Sequence, residues 1–170
     1  MPQSRSAIEA HFYGVFRDED KKLITKMKLD DRVTVHGYLP HRECTRALQR
    51  SDLLWMVIGN GQDADMISTG KLYDYLGSHR PILACIPEGV AMQTLAPSGA
   101  AFFCPPDDPA AIAEQLEKLY GLWKKHQLPT VSDEYASQFD RAKLTEQLAR
   151  YFGSTLEVND TVNIIGRKPG

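Results

Sequence analysis

Cysteine is scarce in this 170-residue chain, and the three present, Cys44, Cys85 and Cys104, are odd in number and widely spaced. That excludes a disulfide framework and fits reduced thiols in a cytosolic protein. Excess positive charge is missing too: 20 Lys and Arg stand against 22 Asp and Glu, for a net charge of -2 and an isoelectric point near 6.2. Grip on a phosphate backbone needs a basic face, so no nucleic-acid partner is expected. No apolar run approaches the roughly 20 residues of a membrane span, and the opening MPQSRSAIEA lacks the hydrophobic centre of a signal peptide. A cytoplasmic protein is expected, with a peripheral contact at the inner face of the membrane left open. His11, His36, His41, His79 and His126 have no ligand spacing with the cysteines, so no metal site is assigned.

What is present is alternation. The apolar share of 42% is enough for one core and too little chain for two comfortable domains. Residues 11–16 (HFYGVF) read as a buried strand interrupted by Gly14, where something approaches the backbone closely. Asp18, Glu19 and Asp20 favour a helix start, and Leu23, Ile24 and Met27 recur on one face of that helix. Residues 32–36 (RVTVH) alternate like a strand and stop at Gly37, Tyr38, Leu39 and Pro40 form a loop, and helix signals resume over His41–Arg50. A continuous apolar run at 53–58 (LLWMVI) suits a parallel strand covered on both faces. After the irregular loop GNGQDADMI the spacing predicts a helix over 70–78, a strand over 81–86, a short helix over 88–95 and a strand in AAFFC after Gly99. A turn at 105–108 then leads to a long helix over 109–126, with Pro109 at its first position and Ile112, Leu116, Leu119 and Leu122 or Trp123 as its buried stripe. Trp55 and Trp123 read as core. A last helix is expected over 141–151, and a loose polar tail beyond Gly153.

Strands separated by helices at these intervals imply βαβ units and a doubly wound, Rossmann-like α/β sheet. Ligands in such sheets sit outside the carboxyl ends of the strands. That rule lines up Gly14, the loop of Gly37, Tyr38 and Leu39, and the residues around 70 on one rim. At the last of these, Ser68, Thr69 and Gly70 can leave backbone N–H groups free at a helix start, and Lys71 adds an ammonium, so a phosphate is favoured there. The plainer reading makes Ser68 or Thr69 a cap, Lys71 a solvated side chain, and Leu72, Tyr75 and Leu76 a core face. A Walker A loop is excluded, because it needs Gly where Asp65 stands and Ser or Thr where Leu72 stands.

The blocks GYLPHRE, RSDLLWMVI, STGKLYDYLGSHRPILACIPEG and GAAFFCPPDDPAAIAEQL, in that order, resemble the C-terminal, nucleotide-sugar-binding domain of retaining GT-B glycosyltransferases of the mannosyl/glucosyl-transferase superfamily. The resemblance covers roughly residues 11–123, and KLYDYL followed by RPIL is its most specific part. It implies a donor-binding half over 1–153 that takes a nucleoside diphosphate sugar, UDP- or GDP-linked, for a retaining transfer to a carbohydrate or lipid-linked acceptor in polysaccharide biosynthesis. Thr69, Gly70 and Lys71 would hold the diphosphate, with Lys71 stabilising its departing charge; Asp74, where the family usually has Glu, would meet the ribose hydroxyls; Gly37, Tyr38 and Leu39 would line the base. No metal is required by that chemistry, since these groups take the cation's role.

Three departures stand out. Met66 occupies the position of a family Glu near the sugar, with Asp63 and Asp65 beside it. A family strand ending in Gly-Arg, and a later Lys, are not found ahead of HFYGVF, and the facing acceptor domain is absent, so that domain or another copy of the chain is an expected partner. Without the first strand, the middle of the sheet would have two unpaired edges. One expected filler is the tail 154–170, in which TVNIIGR brings an apolar run, Val162 to Ile165, and then Arg167; an unstructured tail is the alternative. A nucleotide-binding or regulatory module without catalysis stays open as a second function, and a flavodoxin-like or receiver domain is disfavoured by the lack of an early phosphate loop and acidic cluster.

Overall fold

Helix starts in this chain coincide with local start signals, and strands with the short apolar runs between them. The structure is a computed structural model that describes residues 4–163, with side chains over 6–154. The order is α1 (Ser4–Ala7), β1 (Ala10–Tyr13), α2 (Asp18–Lys26), β2 (Val33–Gly37), α3 (His41–Arg50), β3 (Leu54–Val57), α4 (Gly70–Leu76), β4 (Ile82–Cys85), α5 (Val90–Leu95), β5 (Ala101–Cys104), α6 (Pro109–Lys124), α7 (Asp133–Ala136) and α8 (Arg141–Asn163). At α2 the three acids of the first turn face the positive helix end, and Arg17 pairs with Asp20 at 2.8 Å. The Arg17 hydrogen bond holds the Asp20 carboxyl below its ordinary range. At α6, Pro109 opens the first turn while the Asp108 carboxylate accepts the Ala110 and Ala111 N–H groups, each at 3.0 Å.

Every strand pairing is parallel, as the α/β alternation requires. β3, β4 and β5 form one sheet with β4 in the middle, in the register Met56↔Ala84↔Phe103 and Val57↔Cys85↔Cys104. β4 is buried along its whole length, which is why ILAC has no polar alternation. One face of this sheet packs Leu54, Met56, Ile82 and Ala84 under Leu72 and Leu76 of α4 and Ala91 and Leu95 of α5. Leu72 and Leu76 are fully buried, so each contributes about 2 kcal/mol of apolar transfer. On the other face Leu83, Cys85 and Cys104 meet Ile112, Leu116 and Leu119 of α6. Cys85 and Cys104 stand 3.5 Å apart as free thiols, and Cys44 is free as well.

The structure departs from the sequence expectations in five places. First, β1 and β2 form a separate two-stranded sheet, with a bulge between Phe12 and Tyr13, and among the described residues no strand joins it to β3. The missing central strand is therefore not supplied by residues 4–163. Second, β1 stops at Tyr13 because Gly14 turns the chain at φ 123°. Third, Trp55 and Trp123 are not core: they are 46% and 43% exposed, since Trp55 lies on the open side of β3 and Trp123 near the end of α6. Leu23 and Met27 of α2 are exposed as well. Fourth, the loop after β3 contains one 3-10 turn, Ala64–Met66. Fifth, α8 does not end near Tyr151. It runs through Gly153 to Asn163, which takes Val162 and Asn163 into the helix, because one internal Gly costs only about 1 kcal/mol. Ile164, Ile165 and Arg167 lie outside the described residues.

Candidate functional site

The loop between β3 and α4 is shaped by backbone geometry before any side chain acts. Asp63 adopts φ 58°, Ala64 turns inward and is buried, and the Met66 N–H closes on the Asp63 carbonyl at 3.0 Å. Gly89, in the turn after β4, lies directly against this loop at φ 156°: a Cβ there would fall 2.1 Å from the Asp65 carbonyl oxygen. Only a glycine lets the two loops touch.

From this loop the chain extends through Thr69 (φ -106°, ψ 151°) into α4, and the Thr69 side chain makes no capping bond. The Leu72 N–H is taken by the Thr69 carbonyl at 3.1 Å, which leaves the Gly70 and Lys71 N–H groups at the open end of the helix. Gly70, Lys71 and Asp74 are exposed. Lys71 and Asp74 are three residues apart on α4 and share a side of it, yet Lys71 forms no ion pair among the described residues. Its ammonium is available for an anion. The Ser68 hydroxyl is engaged, at 3.1 Å from the Tyr73 hydroxyl, and the Tyr73 ring leans on Phe139 at 5.3 Å. Tyr75 ties α4 to the sheet by donating to the Trp55 carbonyl at 3.2 Å. Burial, then the neighbouring Asp74 charge, push the Tyr75 phenol above its ordinary value, so it remains a donor.

A second group of predicted residues gathers at the ends of β1 and β2. The Gly14 N–H donates to the Gly37 carbonyl at 2.7 Å, and both glycines have positive φ, 123° and 72°. Tyr38, 82% exposed, projects from the following turn, and the Leu39 carbonyl accepts the Cys44 thiol at 3.6 Å. Beside them the Tyr13 ring stacks on His36 at 4.4 Å, and His36 lies 3.0 Å from His11. The structure thus joins Gly14 to Gly37, and sets Ser68, Thr69, Gly70, Lys71 and Asp74 along one turn. Both groups follow the carboxyl ends of parallel strands. A shallow hollow lined by Asp52, Trp123, His126 and Leu128 lies elsewhere and includes none of them. Among the described residues no three His, Cys, Asp or Glu side chains gather as a metal set, and no helix is long and apolar enough to cross a membrane.

No protein-family model matches this sequence, and neither does any curated protein. Solved structures do. HepE of Anabaena, crystallised with UDP, superposes at a TM-score of 0.68 with 19% identity, over 86% of this chain and 41% of its own. The likeness is one of fold: parallel sheets and helices alternate as they do in part of these glycosyltransferase structures. Sucrose-phosphate synthase from Thermosynechococcus elongatus superposes at a TM-score of 0.67 with 16% identity, over 91% of this chain and 41% of its own. The pneumococcal O-GlcNAc transferase GtfA, in complex with UDP and GlcNAc, follows at 0.62 and 14% identity, over 91% and 31%. The chain therefore spans less than half the length of these structures. Three residues that shape the candidate site went unread in the sequence, Gly89, Tyr73 and Phe139, and Tyr75 was read only as part of a core face. Pro87-Glu88-Gly89 after an apolar strand was the available signal for the first; the others look like ordinary aromatic spacing until the chain folds.

Proposed function

We propose that this chain is the donor-binding half of a glycosyltransferase, holding a nucleoside diphosphate sugar from which a sugar passes, with retention, to a carbohydrate or lipid-linked acceptor. The observation that carries the reading is the unpaired Lys71 ammonium beside the open first turn of α4, on a fold shared with structures crystallised with UDP and UDP-glucose. A UDP-linked donor is preferred to a GDP-linked one on the same ground. In this reading the Gly70 and Lys71 N–H groups and the Lys71 ammonium bind the diphosphate. They hold it more tightly as it gains charge on leaving, which accelerates the chemical step. Asp74 accepts from the ribose hydroxyls, Gly37, Tyr38 and Leu39 border the base, and Gly14 lets the ligand approach the backbone. Thr69 contributes main-chain geometry, and Ser68 sets the turn through Tyr73. The acceptor site belongs to a facing domain outside these residues, and the assembled enzyme would act in polysaccharide biosynthesis on the cytoplasmic side.

Calorimetric titration with UDP, GDP and ADP tests this. A charge-assisted contact contributes about 1.5–3 kcal/mol, so Lys71→Ala should weaken UDP binding by roughly 10- to 100-fold, and Asp74→Ala should weaken UDP more than inorganic pyrophosphate. Unchanged binding in both variants would remove the site. A module that binds nucleotide without transfer is the second reading; it is the outcome if UDP binds and no sugar is released from UDP-glucose with any facing domain supplied.

A further inference from the structure

We propose that His11 and His36 form a binding site for a divalent transition-metal ion of the copper or nickel class, which clips β1 to β2. The two residues lie 25 apart in sequence, and only the parallel pairing of their strands brings them together. That pairing holds Phe12 against Val35 and then Tyr13 against Gly37, so His36 is the extra residue of the bulge. A bulge re-aims the side chain it leaves over. Here the imidazole comes to lie between His11 and Tyr13, on the face of the two strands that is exposed among the described residues. The Tyr13 ring stacks on it at 4.4 Å and 11°, which fixes its plane. Spacing along the chain hid this pair, because the contact that makes it is non-local.

The His11 Nδ1 and His36 Nε2 atoms face each other at 3.0 Å. Two neutral imidazoles this close share one proton in an N–H···N hydrogen bond, or turn both lone pairs onto one ion. Nitrogens each about 2.0–2.1 Å from an ion, and at a right angle across it, stand about 2.9 Å apart. The strands therefore already hold the chelating separation. Turning the exposed rings about their broad Cβ–Cγ torsions aims both lone pairs at the ion without moving the backbone. A right-angled nitrogen pair suits tetragonal Cu(II) or Ni(II) better than tetrahedral Zn(II). The Glu9 carboxylate decides which His11 nitrogen is bare: it lies 3.8 Å from Nε2, favours the proton there and leaves Nδ1 to the ion. Carboxylates behind metal-bound imidazoles act in this way. Water completes the coordination from the open side. The consequence is mechanical, since a two-stranded sheet is marginal by itself. The clip sits just ahead of the Gly14 N–H bond to the Gly37 carbonyl and stiffens both strand ends. This inference stands apart from the transferase reading and survives its failure.

Titration of the full chain with Ni²⁺ alone, followed by calorimetry and by NMR of the imidazole groups, tests it. The His11 and His36 signals should broaden first, ahead of those of His41, His79 and His126. Glu9→Gln should weaken Ni²⁺ binding about 10-fold, the lower end for a partner that orients a ligand, and His11→Ala or His36→Ala by more than about 100-fold. The rise in melting temperature that Ni²⁺ brings to the parent chain should vanish in either histidine variant. Both positions are exposed, so circular dichroism should show the fold kept, and His41→Ala, at an exposed helix start, should bind as the parent does. Should an alanine variant lose its fold, His11→Gln and His36→Gln keep a polar side chain on the strand and carry the same expectation. Equal affinity in the parent and both histidine variants overturns the proposal. Broadening that begins at another histidine, or no binding at millimolar Ni²⁺, overturns it as well.

Discussion

Cys104 shows how far one residue's chemistry depends on where the fold puts it. Burial foremost, then the hydrogen bond to Cys85, push its thiol from an ordinary 9.0 up to about 12. The sign follows from linkage: the folded state keeps the neutral thiol, while the unfolded chain releases the proton above pH 9. Stability is therefore complete below 9 and declines between 9 and 12, by at most about 1.4 kcal/mol per pH unit. Half-buried Tyr75 and Tyr135, also raised, add to the same alkaline loss. Urea midpoints measured from pH 8 to 11 should fall, and fall less steeply in Cys104→Ala. The sequence reading of the cysteines as reduced needed only their number and spacing. Their apposition across β4 and β5 was not legible, because register is set by pairing partners far apart in the chain. The same limit misplaced Trp55: its apolar run correctly marked a strand, but exposure depends on whether another strand lies alongside.

At the scale of elements, local signals served well. α3 runs over His41–Arg50 as its pattern predicts, α4 starts at Gly70, and α6 starts at Pro109. Element ends were less legible: β1 and β4 are shorter than their apolar runs, and α8 is longer than its pattern, because ends depend on pairing and packing. The candidate site sits on the element junction that sequence described least, where the turn after β4 supports the loop into α4. Gly89→Ala tests that junction. The added Cβ meets backbone rather than a side chain that can yield, so overpacking of about 1–3 kcal/mol is expected. That corresponds to a fall in melting temperature of roughly 2–12 °C, and UDP binding should weaken with it as the approach to Thr69 and Gly70 moves. A melting temperature within 1 °C of the parent would count against the contact.

For the whole molecule, the described residues form two parallel sheets with no strand pairing between them, and β3 leaves Trp55 partly exposed at its edge. Acrylamide quenching should report how the fold leaves its tryptophans: both are nearly half-exposed, so quenching should be efficient with no protected fraction. A resistant component would place one of them in a closed core. The parallel α/β architecture and the order of strands and helices followed from the sequence alone. Those features rest on short-range rules: apolar periodicity, helix starts, glycine turns and the handedness of crossovers. What only the tertiary structure decided is which edges found partners, how Gly89 fits against Asp65, and that Ser68 is engaged while Lys71 is unpaired. Each of those depends on atoms brought together from distant parts of the chain, and a local pattern holds no record of distance through space.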